Sequence, residues 1–185
     1  MPLLVLDRDG VINRDSDDYI RQLSDWRPLP GSIEAIAALS RAGFRIAVAT
    51  NQSGLSRGYF TLDQLEEIHS ALCQAVEALG GHIAGIFYCP HLPEEGCACR
   101  KPATGLLDAI CEELGESLQG AWFIGDSLKD LQAGQAAGCQ PALVRTGKGL
   151  ATLAQLSQPD VALERPQHIP VYDDLAAAAR HILAS

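Results

Sequence analysis

Short apolar segments alternate with segments of helical periodicity along this chain of 185 residues, and no other feature limits the fold as much. Strands are predicted at 3–6, 44–50, 83–88, 121–125 and 141–145, and helices at 32–41, 62–79, 105–114, 128–137 and 173–183. Because parallel strands need crossover helices on both faces, the pattern predicts a three-layer, doubly wound α/β fold with a mainly parallel sheet. Residues 151–170 are the least regular part.

Local signals support one domain over residues 1–185. Thr61 can cap the helix that follows it, and Gly80 with Gly81 can end that helix. There is no internal repeat and no low-complexity linker.

Composition and charge exclude several classes of protein. A hydrophobic fraction of 47% is enough for a substantial core, and the net charge of −9 argues against a nucleic-acid-binding surface. No apolar stretch approaches the roughly 18 residues of a membrane helix, and no signal peptide is expected. The cytoplasm is therefore the expected compartment.

The six cysteines fall into two groups. Cys73, Cys111 and Cys139 are predicted to be small buried residues. The other three lie in "CPHLPEEGCACRKP" with a histidine, in the spacing Cys-x-His-x₅-Cys-x-Cys. The ligands predicted for a closed structural Zn²⁺ site, in a loop at 89–99, are Cys89, His91, Cys97 and Cys99. A loop with chance cysteines is the alternative.

Polar residues follow the predicted strands at the ends where doubly wound folds bind ligands. These residues are Asp7, Asp9, Thr50, Asn51, Arg100, Lys101 and Asp126. Each one alone could instead bond to turn backbone. Their coincidence at one sheet edge predicts a shared crevice.

The motifs "LDRDG", "ATNQSG", "CRKP" and "FIGDS", in this order between residues 3 and 148, resemble the four signature motifs of the haloacid-dehalogenase-like phosphohydrolases. Within that superfamily the whole chain is similar to the heptose-bisphosphate phosphatase group, and histidinol-phosphate phosphatases are related in pattern. The resemblance implies a Rossmann-like phosphatase fold. The spacings between the motifs leave room for loops and for no separate cap domain.

Phosphate-ester chemistry accounts for the paired aspartates. A carboxylate that attacks phosphorus needs a divalent cation to offset charge repulsion, and it forms an aspartyl-phosphate. Asp7 is the predicted nucleophile. Asp9, two positions along an extended strand, is the predicted proton donor and acceptor. The predicted Mg²⁺ ligands are the carboxylates of Asp7 and Asp126 and, as the resemblance implies, the backbone carbonyl of Asp9.

The resemblance also implies the phosphate and sugar contacts. Thr50, Asn51 and Lys101 correspond to the phosphate-binding positions. The implied substrate-binding residues are Asp15, Asp18, Tyr19, Gln52, Ser53, Arg57 and Arg100, of which the two arginines suit a second phosphate.

Several positions stay open. Arg57 either contacts the second phosphate or is a surface arginine at a helix entry, and the sequence does not decide which aspartate of 15–18 contacts the sugar. Asp130 either orients the metal ligands or lies on a solvated helix face. Ser127 stands where relatives often carry a lysine, and Lys129 either replaces that contact or is an ordinary surface lysine.

The resulting expectation is Mg²⁺-dependent hydrolysis of the 7-phosphate of a heptose 1,7-bisphosphate by a monomer that acts on a small sugar bisphosphate, not on nucleic acid or membranes. The alternatives are a histidinol-phosphate phosphatase and, in another class, a non-catalytic phosphosugar-binding module.

Overall fold

β1 (Leu3–Leu6) lies at the centre of the sheet, and all four of its apolar residues are buried there. The computed structural model describes residues 1–185 and shows a six-stranded sheet in the order β3-β2-β1-β4-β5-β6, with every pair parallel. The other strands are β2 (Arg45–Asn51), β3 (Ile83–Cys89), β4 (Trp122–Gly125), β5 (Gln140–Val144) and β6 (Val171–Tyr172). The chain proceeds outward from β1 to β3 and then from β4 to β6, so the predicted doubly wound fold is confirmed.

Helices cover both faces of this sheet. They are α1 (Ser32–Arg41), α2 (Leu62–Ala78), α3 (Gly105–Leu114), α4 (Leu128–Ala136), α5 (Gly149–Leu156) and α6 (Leu175–Ala184). Leu4 and Leu6 of β1 pack in a core with α1, α2 and α6, whereas Leu3 and Val5 pack in a second core with α3 and α4. The alternation of side chains along β1 thus separates two apolar layers.

The caps of α2 and α4 follow from local sequence. Thr61 Oγ1 accepts a hydrogen bond from Gln64 N at 3.2 Å, and Gln64 Oε1 accepts one from Thr61 N at 2.9 Å, which confirms the predicted start of α2. Ser127 caps α4 in the same reciprocal manner with Asp130. Both helices therefore begin where their capping residues dictate.

Two elements differ from the sequence prediction. α5 lies at the start of the segment expected to be irregular, and β6 was not predicted. α5 lacks a side-chain cap, and tertiary contacts hold it: Thr152 is buried and donates to the Asp126 carbonyl at 2.8 Å. β6 has two residues, too few for a periodic pattern, and is defined by pairing with β5.

The helices and the three cysteines outside the loop can also be compared with the sequence predictions. None of the helices combines the length and the apolar character needed to cross a membrane. Cys139 is buried as expected, whereas Cys73 and Cys111 are only partly buried against the two cores.

Candidate active site

A polar cavity of about 650 Å³ opens at the carboxyl ends of the central strands. Of the predicted site residues outside the cysteine loop, those lining the cavity are Asp7, Asp9, Asp15, Tyr19, Thr50, Asn51, Gln52, Ser53, Arg100, Lys101 and Asp126. Two predicted substrate residues do not line it. Asp18 lines a smaller neighbouring depression, and Arg57 is exposed outside both. Only four of the 24 lining residues are hydrophobic, so the cavity suits a polar, charged ligand.

Lys101 lies between two carboxylates in the cavity floor. Its Nζ donates to Asp7 Oδ1 at 2.9 Å, to Asp130 Oδ1 at 2.6 Å and to the Ala49 carbonyl at 2.8 Å. Burial by itself would lower the pKa of Lys101, but the charges of Asp130 and Asp7 outweigh it and raise this pKa. The lysine is therefore a fixed ammonium beside Asp7.

Asp130 is 1% exposed, which excludes a solvated position. Its Oδ2 accepts hydrogen bonds from Asp126 N, Ser127 N and Ser127 Oγ at 3.2, 3.1 and 2.9 Å. The Ser127 hydroxyl is thus engaged in capping. Asp130 fixes the turn that presents Asp126.

Asp7, Asp126 and Asp130 bring carboxylate oxygens within 4.8 Å of one another. Burial and the nearby Asp130 charge raise the pKa of Asp7 well above its ordinary value and that of Asp126 to about 7. Lys101 is the one ammonium placed among these three acids, so a negative charge remains uncompensated. The donor set and its excess charge fit a hard divalent cation such as Mg²⁺.

The backbone around Asp126 leaves space for this carboxylate. A Cβ added at Gly10 or at Gly147 would collide with Asp126 Oδ2, and both glycines have positive φ, 85° and 58°. Asp126 Oδ2 also accepts a hydrogen bond from Lys148 N at 2.8 Å. Two glycines far apart in sequence therefore form a cradle for one side chain.

Asp9 is held by a separate set of donors. Asp9 Oδ1 accepts from Arg8 Nε and from Asn13 Nδ2, both at 2.9 Å, and Asp9 Oδ2 accepts from Gln52 Nε2 at 3.1 Å. Burial by itself would raise the pKa of Asp9, but the Arg8 charge and these hydrogen bonds lower it. Gln52 also donates to Thr50 Oγ1 at 3.0 Å and so links the proton-transfer candidate to the phosphate-binding candidate.

Arg8 and His69 form a pair that the sequence analysis missed. Arg8 is fully buried, and its Nη1 donates to Nε2 of His69 on α2 at 3.0 Å. Burial, followed by the Arg8 charge, lowers the pKa of His69 to about 3, so the ring is neutral. One signal was available: by strand alternation Arg8 continues the face of Leu4 and Leu6, where a charge requires a partner.

Asn51 connects the second strand to the lysine segment. Its Oδ1 accepts from Lys101 N at 3.0 Å, and its Nδ2 donates to the Lys101 carbonyl at 3.2 Å. This double contact fixes the backbone that carries the ammonium group beside Asp7.

Exposed groups form the rim of the cavity. Lys148 Nζ lies 3.9 Å from Asp15 Oδ2, and burial raises the pKa of Asp15. Tyr19, in the left-handed region at φ 67°, packs edge-on against Tyr59 with ring centroids 5.1 Å apart. Lys129 and Arg100 also line the cavity, so the rim carries both signs of charge.

The cysteine and histidine side chains converge as a second cluster beside the cavity. Sγ of Cys99 lies 2.9 Å from Sγ of Cys89 and 3.7 Å from that of Cys97, and His91 Nδ1 lies 3.2 Å from Cys99 Sγ. Ligand atoms about 2.0–2.3 Å from a tetrahedral zinc would be roughly 3.5–3.8 Å apart, so the set fits the ion after slight expansion. Arg100 N donates to Cys97 Sγ at 3.4 Å and joins this cluster to the rim.

The second half of the chain is similar to a known protein family. Residues 98–178 match the family described as "HAD-hyrolase-like", and this segment contains the third and fourth motifs with Lys101 and Asp126.

Relatives that match almost the entire chain define the family. The D-glycero-beta-D-manno-heptose-1,7-bisphosphate 7-phosphatases of Pseudomonas aeruginosa and Pseudomonas putida are each 53% identical, covering 98% and 99% of this chain and 97% and 100% of theirs. The crystal structure of D,D-heptose 1,7-bisphosphate phosphatase from B. bronchiseptica, complexed with magnesium and phosphate, has a TM-score of 0.91 and 46% identity, covering 100% of this chain and 99% of that one. The chain belongs to the D-glycero-β-D-manno-heptose-1,7-bisphosphate 7-phosphatase family, which confirms the resemblance.

Proposed function

We propose that this protein is a cytoplasmic, Mg²⁺-dependent phosphatase that removes the 7-phosphate from D-glycero-D-manno-heptose 1,7-bisphosphate, a step toward the activated heptose of lipopolysaccharide. The observation that carries the proposal is the pair Asp7 and Asp9 in one polar cavity, with the Lys101 ammonium 2.9 Å from Asp7. The full-length likeness to heptose-bisphosphate phosphatases supports the choice of substrate.

In the first step Asp7 attacks phosphorus, and the bond from phosphorus to the sugar oxygen breaks. Asp9 gives its proton to the departing oxygen, which leaves an aspartyl-phosphate and the free sugar hydroxyl. The donors around Asp9 favour its carboxylate, and a bound phosphate dianion opposes them, because like charge raises the pKa of an acid. Asp9 can thus hold a proton when substrate is present.

In the second step water attacks phosphorus of the aspartyl-phosphate. Asp9 takes the proton from the water, and Asp7 leaves as the carboxylate with release of inorganic phosphate. Lys101, the Thr50 hydroxyl and the Asn51 segment are proposed to hold the phosphate oxygens through both steps. Asp9 returns to its protonated form and completes the cycle.

Asp7, Asp126 and the Asp9 carbonyl are the proposed Mg²⁺ ligands, with Asp130 orienting Asp126 and neutralising Lys101. Bound Mg²⁺ supplies neutralisation of the charge that builds on phosphate oxygens. The uncompensated carboxylates and the glycine cradle around Asp126 support this assignment.

Cys89, His91, Cys97 and Cys99 are proposed to hold a structural Zn²⁺ that orders the 89–99 loop. The loop belongs to a single domain over residues 1–185, and a monomer is the proposed state. The contact between Arg100 N and Cys97 Sγ supports a role for the loop in positioning Arg100.

The second phosphate of the substrate is proposed to bind at Arg100. Its Nη1 is buried without a hydrogen-bond partner, and Lys129 and Lys148 line the same cavity. Burial, followed by the Arg100 and Lys148 charges, lowers the pKa of Lys129, which reflects a concentration of positive charge suited to a dianion. Asp15 and Tyr19 are proposed to contact sugar hydroxyls. Arg57 and Asp18 do not line this cavity, so no substrate contact is proposed for them.

Phosphate release in the presence of Mg²⁺ tests the function, with heptose 1,7-bisphosphate and histidinol phosphate compared side by side. We expect a strong preference for the bisphosphate and a loss of at least about 10⁴-fold in Asp7→Asn, since the amide cannot form the acyl phosphate. Preference for histidinol phosphate would overturn the substrate assignment. No release from either would favour a binding module.

A further inference from the structure

Arg8 is an unusual element of this site because its charge is completely buried and it does not line the cavity. Burying a guanidinium costs free energy unless it is paired and hydrogen-bonded, and Arg8 is bonded through Nε and Nη1. The proposed reaction uses neither Arg8 nor His69, the two residues that link α2 to the acid at position 9.

The contacts of Arg8 distinguish the two oxygens of Asp9. Asp9 Oδ1 accepts from Arg8 Nε and Asn13 Nδ2, and Arg8 Nη2 lies 2.9 Å away without hydrogen-bond alignment. Asp9 Oδ2 accepts only from Gln52 Nε2, at 3.1 Å, and that amide is shared with Thr50. Oδ2 therefore has lone-pair capacity left for a proton, and Oδ1 serves as the anchor.

His69 fixes the other end of the guanidinium. Its Nε2 accepts from Arg8 Nη1, because an arginine can only donate, so Nδ1 carries the ring proton. His69 is 8% exposed and tilted against Tyr88, with ring centroids 6.1 Å apart. The ring is packed in one orientation, and Arg8 is held at both ends.

We propose that His69 is a positioning residue that acts through Arg8 to hold the Asp9 carboxyl with Oδ2 toward the leaving oxygen of the substrate. The inference rests on the proposed phosphatase function. It assigns a catalytic consequence to a residue that touches neither substrate nor metal ligand.

Leaving groups of different basicity test the assignment. A sugar alkoxide needs a proton as it departs, whereas p-nitrophenolate does not. The ratio kcat/KM reports only steps up to aspartyl-phosphate formation, so the later use of Asp9 as a base does not enter. We expect His69→Leu to lower kcat/KM for heptose 1,7-bisphosphate by about 10- to 100-fold and that for p-nitrophenyl phosphate by less than about threefold.

Three further variants separate positioning from folding. His69→Gln keeps an acceptor within reach of Arg8 and should restore most of the lost kcat/KM. His69→Asn stays polar but is too short to reach, and should behave like His69→Leu. Leu72→Ala, also buried on α2, should lower the unfolding midpoint and affect both substrates equally.

Equal losses on the two substrates in His69→Leu and His69→Asn, or no rescue by His69→Gln, would overturn the proposal while the phosphatase function stands. Wild-type protein that releases phosphate from neither substrate would overturn the function and this inference with it.

Discussion

The cavity floor and the cysteine loop lie side by side, yet they are ordered by different means. In the floor, Asp7, Lys101 and Asp130 are almost fully buried and satisfy one another through hydrogen bonds of 2.6–2.9 Å. In the loop, residues 93–96 are exposed, and the side-chain contacts include a cluster formed by the four metal-ligand candidates.

The two regions therefore differ in what holds their side chains in place. The floor is carried by strand ends that the apolar layers already fix, so its charges are preorganised by the fold. The loop has little apolar surface of its own, and the proposed Zn²⁺ would supply the missing free energy. Arg100 and Lys101, adjacent in sequence, stand at the boundary between the two regions.

The largest expected effect comes from removing one candidate zinc ligand from the cysteine loop. Cys99→Ser should reduce zinc from one ion per chain to nearly none and lower the unfolding midpoint by about 10 °C, because metal binding contributes directly to folding. Metal analysis and thermal unfolding measure these changes. Cys111→Ser, a thiol outside the cluster, is the matched control, and a zinc-free variant with an unchanged midpoint would show that the loop orders itself.

A smaller effect should appear at the boundary. Arg100→Ala removes charge-assisted hydrogen bonds to the second phosphate and should raise KM for the bisphosphate by about 10- to 100-fold. Steady-state kinetics with the 1,7-bisphosphate and with heptose 7-phosphate isolate this contribution, since only the first carries the additional group. Arg57→Ala, exposed outside the cavity, should leave KM unchanged, and the reverse ranking would place the second phosphate at Arg57 instead.

The smallest effect concerns the Arg8–His69 pair, which is bonded to Asp9 of the cavity, and its pH dependence. The pKa of His69 is about 3 in the fold against 6.5 in the unfolded chain, so the unfolded state binds more protons between these values. Stability from this group is complete above pH 6.5 and is lost as the pH falls toward 3, with about 2 kcal/mol lost at pH 5. Denaturant unfolding of wild type and His69→Gln at pH 7.5 and pH 5 measures the difference. The same difference should persist in Cys99→Ser, and its disappearance there would mean that floor and loop are not independent.

Most of the fold was predictable because the signals are local. Periodicity and caps located five strands and five helices to within one or two residues, as at Thr61 before α2. α5 was missed because it has only eight residues and no capping side chain to mark its start, and β6 was missed because two residues show no periodicity. Only their contacts with β5 and Asp126 define them.

The site was predictable to a similar extent. Asp7, Thr50, Lys101 and Asp126 follow strands whose carboxyl ends meet at one edge, and the cavity contains all of them. The sequence could not decide whether Asp130 orients the metal ligands or lies on a solvated helix face, because its position at the start of a helix does not show which way the side chain turns.

By itself, the sequence determined most of the order of strands and helices, the acids that follow the central strands and the four candidate soft ligands of the loop, since these depend on spacing along the chain. The tertiary structure alone decided that Arg8 meets His69 across 61 positions, that Gly10 and Gly147 enclose Asp126, and that Arg57 stays outside the cavity. The physical reason is that a buried charge is satisfied by whichever polar group the packed layers bring within about 3 Å, and that neighbour is fixed only when the layers close.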